Sequence, residues 1–150
     1  MAKVGIITAS YNYENYIKET IESVISQTYT DWEMIIVDDG SKDNSVEVIK
    51  AYCENDSRIK LFQHENGENK GLAETIQLGI RRATSEWIAF LESDDMLTPN
   101  YLEEKIKIIE QYPTVDFIFN DINMFGEENA INKMEEYFKK QKSRDNLFYR

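Results

Sequence analysis

The strongest constraint in this chain is an alternation of two patterns. Short apolar runs take turns with stretches whose apolar residues recur at helical spacing. Val4-Gly-Ile-Ile-Thr8 fits a buried parallel strand, and Ile17, Ile21, Val24 and Ile25 then mark a helix. Glu33-Met-Ile-Ile-Val37 is a second strand, followed by a helix carrying Val46, Ile49, Tyr52 and Cys53. Ile59-Lys-Leu-Phe62 is a third strand, and Leu72, Ile76, Ile80 and Ala83 form a third helical stripe. Trp87-Ile-Ala-Phe-Leu91 is a fourth strand. Thr98 and Pro99 then open a helix as N-cap and first helical residue, with Leu102, Ile106 and Ile109 on its inner side. Val115-Asp-Phe-Ile-Phe119 is expected as a fifth strand. Strand–helix alternation implies right-handed crossovers, so the expected fold class is α/β: a mostly parallel sheet with helices on both faces.

In such sheets ligands bind beyond the carboxyl ends of the strands. The segments that follow each run are therefore where chemistry should sit. They are Thr8-Ala-Ser-Tyr-Asn12, Asp38-Asp-Gly-Ser41, Gln63-His-Glu-Asn-Gly67, Glu92-Ser-Asp-Asp95 and Asn120-Asp121. Polar and acidic groups thus collect on one rim, including two Asp-Asp pairs. Adjacent carboxylates repel unless a positive group lies between them. Asp38-Asp39 precedes a glycine, so it could serve a turn or a helix cap as well as a nucleotide's base or ribose. Asp94-Asp95 could be loop acids or a metal site, since one or two carboxylates with phosphate oxygens and waters hold Mg²⁺ or Mn²⁺.

Charge narrows the partners. The formal net charge is −11, and such a surface repels phosphate backbones, which argues against nucleic acid. A nucleoside diphosphate would then need a divalent cation to join its phosphates to the protein's carboxylates. The single cysteine, Cys53, can form no internal disulfide and falls on the apolar side of its helix. No apolar run approaches the ~20 residues that span a bilayer, so no transmembrane segment is expected. The start of the chain lacks a signal-peptide layout, and the expected setting is the cytoplasm, at most peripheral to the inner face of the membrane. The one histidine, His64, reads as a surface or pocket-edge residue.

These motifs together resemble the family 2 glycosyltransferases of the GT-A fold. The resemblance is carried by Val4 to Asn12, Ser26-Gln-Thr-Tyr29, Glu33 to Asp43, Asn69-Lys-Gly-Leu72, and Glu86 to Asp95 followed by Pro99. It implies a nucleotide-sugar-binding domain over residues 1–126, with a polar helical tail over 127–150 of a longer chain. That tail holds Met134, Tyr137, Phe138 and the basic cluster Lys139 to Arg144. Asp39 would bind the base with Asp38 beside it, while Thr8, Ala9 and Tyr11 would line the nucleotide pocket. Asp94 and Asp95 would form the DxD-type element, with Asp95 the direct ligand of Mn²⁺ or Mg²⁺ and Asp94 alongside. Many family members carry Arg-Asn in the helix after the Gly-rich loop, where this chain has Ile76-Gln77.

The implied reaction is an inverting, metal-dependent transfer of a sugar from a nucleoside-diphosphate sugar, UDP by default. The acceptor would be a hydroxyl of a sugar or lipid-linked molecule, as in polysaccharide biosynthesis. A carboxylate base would take the acceptor's proton. Asp121 is the only rim acid after the fifth run, early in the chain for that role, and the 150 residues are expected to lack the acceptor half and not to turn over alone. Three alternatives compete with this reading. A sugar nucleotidyltransferase would open with a Gly-rich, Arg-containing loop, which Thr8 to Asn12 lacks. A receiver-type signalling module needs its acid pair after the first strand and a Lys after the fifth. A non-catalytic nucleotide-sugar-binding domain would use the same metal and nucleotide residues.

Overall fold

A computed structural model gives the architecture of residues 1–119 and Ile131. The chain divides into two compact units, Met1–Thr114 and Val115–Arg150. In the first, elements run β1 (Val4–Ser10), α1 (Ile17–Ile25), β2 (Trp32–Asp38), α2 (Ser45–Asn55), β3 (Ile59–Gln63), a 3-10 turn (Glu65–Gly67), α3 (Leu72–Arg82), β4 (Trp87–Phe90) and α4 (Tyr101–Gln111). The strands form one sheet in the order β3-β2-β1-β4, and every pairing is parallel. The chain winds outward from β1 to β3, then returns to the other side of β1. That reversal creates a topological switch point between β1 and β4.

Side chains alternate across a strand, and the two faces of this sheet are covered by different helices. Val4, Ile6, Trp32, Met34, Ile36 and Ile59 share a core with Ile17, Ile21 and Val24 of α1, Ile49 of α2, and Leu102 and Ile106 of α4. On the opposite face α3 lies so close that a Cβ on Gly79 would meet Ile7 Cγ2 at 2.5 Å and Val37 Cγ2 at 3.5 Å. β2 is buried along its whole length, as expected for an inner parallel strand. Each fully buried isoleucine contributes about 1.5–3 kcal/mol of transfer free energy, and Ile6, Ile21, Ile36 and Ile49 are at 0% exposure.

Some elements depart from the pattern read in the sequence. β1 and β2 run on to Ser10 and Asp38, so the first acid of the pair is itself a strand residue. α3 turns Thr75 and Gly79 inward and leaves Leu72 and Ile80 exposed. Its packing face is chosen by small residues that let the helix approach the sheet, not by its largest apolar ones. α4 begins at Tyr101, after a turn in which Tyr101 N–H bonds Thr98 O at 3.0 Å, rather than at Pro99. Thr98 makes no side-chain cap there; Gln27, just past the end of α1, takes that part by accepting Leu102 N–H. Val115–Phe119 forms no strand. Apolar alternation belongs to a segment, whereas a strand also needs a partner edge that the pattern cannot specify. Asp121, the boundary at residue 126, the tail and its basic cluster lie outside the described residues, apart from Ile131.

Candidate functional site

Because all four strands are parallel, Asp38-Asp39 and Asp94-Asp95 emerge at the same, carboxyl edge of the sheet. In register, Ser10 pairs with Asp38, and Asp38 with Gln63. On the other side Ile7 pairs with Phe90, the last residue of β4. The acid pairs therefore stand on either side of the end of β1, at the switch point. Thr8 and Ser10 follow Val4 and Ile6 on one face of β1. Both residues are buried, at 0% and 1% exposure, and among the described residues their hydroxyls have no hydrogen-bond partner. Ala9 faces the other way and is half-buried, and Tyr11 is 44% exposed.

The two acids of the first pair have different surroundings. Asp38 is fully buried. Its Oδ2 accepts Gly40 N–H at 3.2 Å, Ser41 N–H at 3.1 Å and Gln63 Nε2 at 3.3 Å, and its Oδ1 accepts the Ser41 hydroxyl. It shapes the turn through Gly40, whose φ is +81° and whose Cβ would lie 2.7 Å from Gly67 O. Asp39 instead clasps the loop ahead of α3, accepting Lys70 N–H at 2.6 Å and Gly71 N–H at 3.0 Å. His64, expected at the surface or a pocket edge, is half-buried and completes this group. Its Nε2 lies 2.9 Å from Thr75 Oγ1 and 3.5 Å from Asp39 Oδ1. The Thr75 hydroxyl already donates to Gly71 O at 2.9 Å, so it accepts from His64, which places the proton on Nε2. Sequence separation hid this contact, since 25 residues divide His64 from Asp39.

The loops after β1 and β2 are joined by reciprocal bonds. Asn12 N–H donates to Ser41 Oγ and Asn12 Oδ1 accepts Lys42 N–H. Glu14 N–H donates to Asp43 and the Glu14 carboxylate accepts Asn44 N–H. Burial alone would push the Asp43 carboxyl up, but bonds from Ser45 and Glu14 hold it below the usual range. Tyr13 N–H bonds Ser45 Oγ at 2.8 Å, and the Asp94 charge beside the Tyr13 hydroxyl, with burial, pushes its pKa up. Tyr13 thereby joins the loop after β2, at Ser45, to Asp94 of the second acid pair.

Asp94 and Asp95 are exposed, on a turn closed by Asp95 N–H to Glu92 O at 3.2 Å. Burial of its carboxyl, with the neighbouring Asp94 charge, pushes the Asp95 pKa up. Among the described residues no lysine, arginine or histidine forms an ion pair with either acid. Nor do any three His, Cys, Asp or Glu side chains gather as a ready metal cage. Two uncompensated carboxylates fit a hard divalent cation that takes its remaining ligands from phosphate and water. Ile76 is half-buried and Gln77 exposed on α3, so neither supplies a cation. Cys53 is half-buried against the core, and burial pushes its thiol pKa up, away from reactivity. Among the described residues no helix is long and apolar enough to cross a membrane.

Comparison with known proteins gives the family and the fold. The family model described as glycosyl transferase family 2 matches residues 5–150. The glycosyltransferase GlyA of Streptococcus pneumoniae serotype 4 is 36% identical over 129 residues, covering 86% of this chain and 18% of GlyA. The crystal structure of S. aureus TarS 1-349 superposes with a TM-score of 0.70 at 26% identity, covering 83% of this chain and 40% of that one. TarS 1-349 has also been solved with UDP and with UDP-GlcNAc. A mannosyltransferase of Pyrobaculum calidifontis, solved with GDP-Man and Mn²⁺, is alike in fold alone. Its TM-score is 0.58 at 23% identity, covering 63% of this chain and 28% of that one. The chain thus spans less than half the length of each of these proteins.

Proposed function

Since the chain belongs to glycosyl transferase family 2 and has the GT-A sheet, we propose that it is the donor-binding part of an inverting, metal-dependent glycosyltransferase acting on a nucleoside-diphosphate sugar. The observation that carries the proposal is the meeting of both acid pairs at one sheet edge, on either side of β1. UDP is the proposed nucleotide, on the analogy of the UDP and UDP-GlcNAc complexes of TarS. Thr8, Ala9 and Tyr11 form the wall of the nucleotide site, with Tyr11's exposed ring beside the base. Asp39 accepts from the base, and Asp38 contributes by fixing the turn that presents Asp39.

Asp95 and Asp94 would hold Mn²⁺ or Mg²⁺, whose chemistry is to neutralise charge gathering on the leaving diphosphate. The protein's own part is to present two carboxylates that no cation among the described residues pairs with. With no third acid gathered there among the described residues, the metal is expected to bind weakly alone and tightly with a diphosphate. The acceptor is a hydroxyl of a sugar or lipid-linked molecule, and its general base is assigned to no described residue; Asp121 stays the candidate.

The two acid pairs should separate in calorimetry. Asp39→Ala should weaken uridine and UDP alike, by about tenfold or more, as a buried charged acceptor is lost. Asp95→Asn should leave uridine binding intact and weaken only UDP in Mn²⁺. Loss of both ligands in equal proportion in both variants would contradict the division.

A further inference from the structure

Two polar side chains of α1, and a third just past its C-terminal end, are buried and have no part in the reading above. Thr20, Ser23 and Gln27 are 0%, 9% and 4% exposed. Thr20 and Ser23 stand at i and i+3 on the buried side of α1 with Ile17, Ile21 and Val24, and Gln27 follows the helix's C-cap Ser26. All three reach the segment that carries the second acid pair. Thr20 Oγ1 donates to Ser93 O at 3.0 Å, the residue before Asp94. Ser23 Oγ donates to Thr20 O at 2.7 Å and accepts Leu97 N–H at 3.1 Å, two residues beyond Asp95. Gln27 Nε2 donates to Ser23 O at 3.0 Å and Thr98 O at 2.8 Å, while its Oε1 accepts Leu102 N–H at 3.0 Å.

The acid turn is therefore anchored by buried bonds at its entrance and its exit, and Asp94, Asp95 and Met96 are exposed between the anchors. The Gln27 amide can sit only one way round, because its nitrogen faces two carbonyls and its oxygen an N–H. Buried bonds of this kind are costly to break and hold one geometry. A metal ligand must be held to within a fraction of an ångström of its productive position by the groups behind it.

We propose that this stripe sets the position of the Asp94–Asp95 turn, and that Thr20 and Gln27 are positioning residues for the metal–diphosphate end of the site. The proposal rests on the metal role given to Asp95 above. It assigns a task to α1 that neither its apolar stripe nor its sequence distance from the acids suggests.

The test uses Mn²⁺ with UDP as probe. Free Mn²⁺ is read by electron paramagnetic resonance, and uridine binding by calorimetry. Thr20→Val is isosteric and removes one bond; Gln27→Met keeps the stem and removes three. Both should weaken Mn²⁺ binding in the presence of UDP by about 10- to 100-fold, the usual effect of losing a group that orients a metal ligand. Uridine binding should be unchanged, and Thr20→Ser, which keeps the hydroxyl, should restore Mn²⁺ binding. Glu33→Gln, in a buried bond set away from the acid turn, controls for stability: it should lower the melting temperature and leave Mn²⁺ binding alone. Wild-type Mn²⁺ binding in folded Thr20→Val and Gln27→Met, with Asp95→Asn impaired, would overturn the positioning role and spare the metal reading. Equal loss in Glu33→Gln would overturn it too, showing general destabilisation. An Asp95→Asn variant that binds Mn²⁺ with UDP as the wild type does would overturn both.

Discussion

Asp38 and Asp39 adjoin in sequence, yet their carboxylates enter separate hydrogen-bond sets. One is closed on its own turn; the other clasps a distant loop. Glu33 shows the same principle without any ligand in view. Its side chain is 5% exposed and accepts from Lys60 Nζ at 2.8 Å, Thr84 N–H at 2.7 Å and Thr84 Oγ1 at 2.9 Å. Burial alone would raise its pKa, but these bonds outweigh burial and hold it below the ordinary 4.5. A carboxyl with a depressed folded pKa stabilises the fold above its unfolded value, and that contribution is lost as pH falls through the folded one. Glu33→Gln should therefore cost about 1–3 kcal/mol near neutral pH. The gap between the two proteins should close as the pH drops below the ordinary carboxyl value. Urea unfolding at a series of pH values checks this, and a gap that stays constant into acid would contradict it.

At the scale of elements, α3 and α1 each hold a lesson about packing. α3 meets the sheet through Gly79, where an added methyl would stand 2.5 Å from Ile7 Cγ2. Alanine favours a helix over glycine by about 1 kcal/mol, but overpacking costs about 1–3 kcal/mol, so Gly79→Ala should lower the urea midpoint. A midpoint that rises would mean that α3 can shift outward freely. The sheet was legible because apolar runs and helical stripes announce themselves locally, and the rim acids because they directly follow those runs. The α3 face was misread because the stripe of Leu72, Ile76 and Ile80 outweighs Thr75 and Gly79 in hydrophobicity while losing to them in closeness of approach. The roles of His64, Tyr13, Thr20, Ser23 and Gln27 were not legible. Each depends on a partner far along the chain, as with Gln27 and Leu102, 75 residues apart, and polarity alone does not name a partner.

For the whole molecule the governing facts are charge and topology. A chain of net charge −11 repels a diphosphate at long range, and its second acid pair adds local repulsion where the phosphates are proposed to lie. A divalent cation turns that repulsion into attraction, and family membership makes a nucleotide-sugar donor the ligand to test. The most direct measurement is calorimetric titration of UDP into the chain with Mn²⁺ and with a chelator. With Mn²⁺, UDP at 100 times the Kd found by titration should add about 2.7 kcal/mol of stability in a parallel melt. With chelator the affinity should fall by at least tenfold, and Asp95→Asn should remove most of that difference. Equal affinity in metal and in chelator would contradict the account.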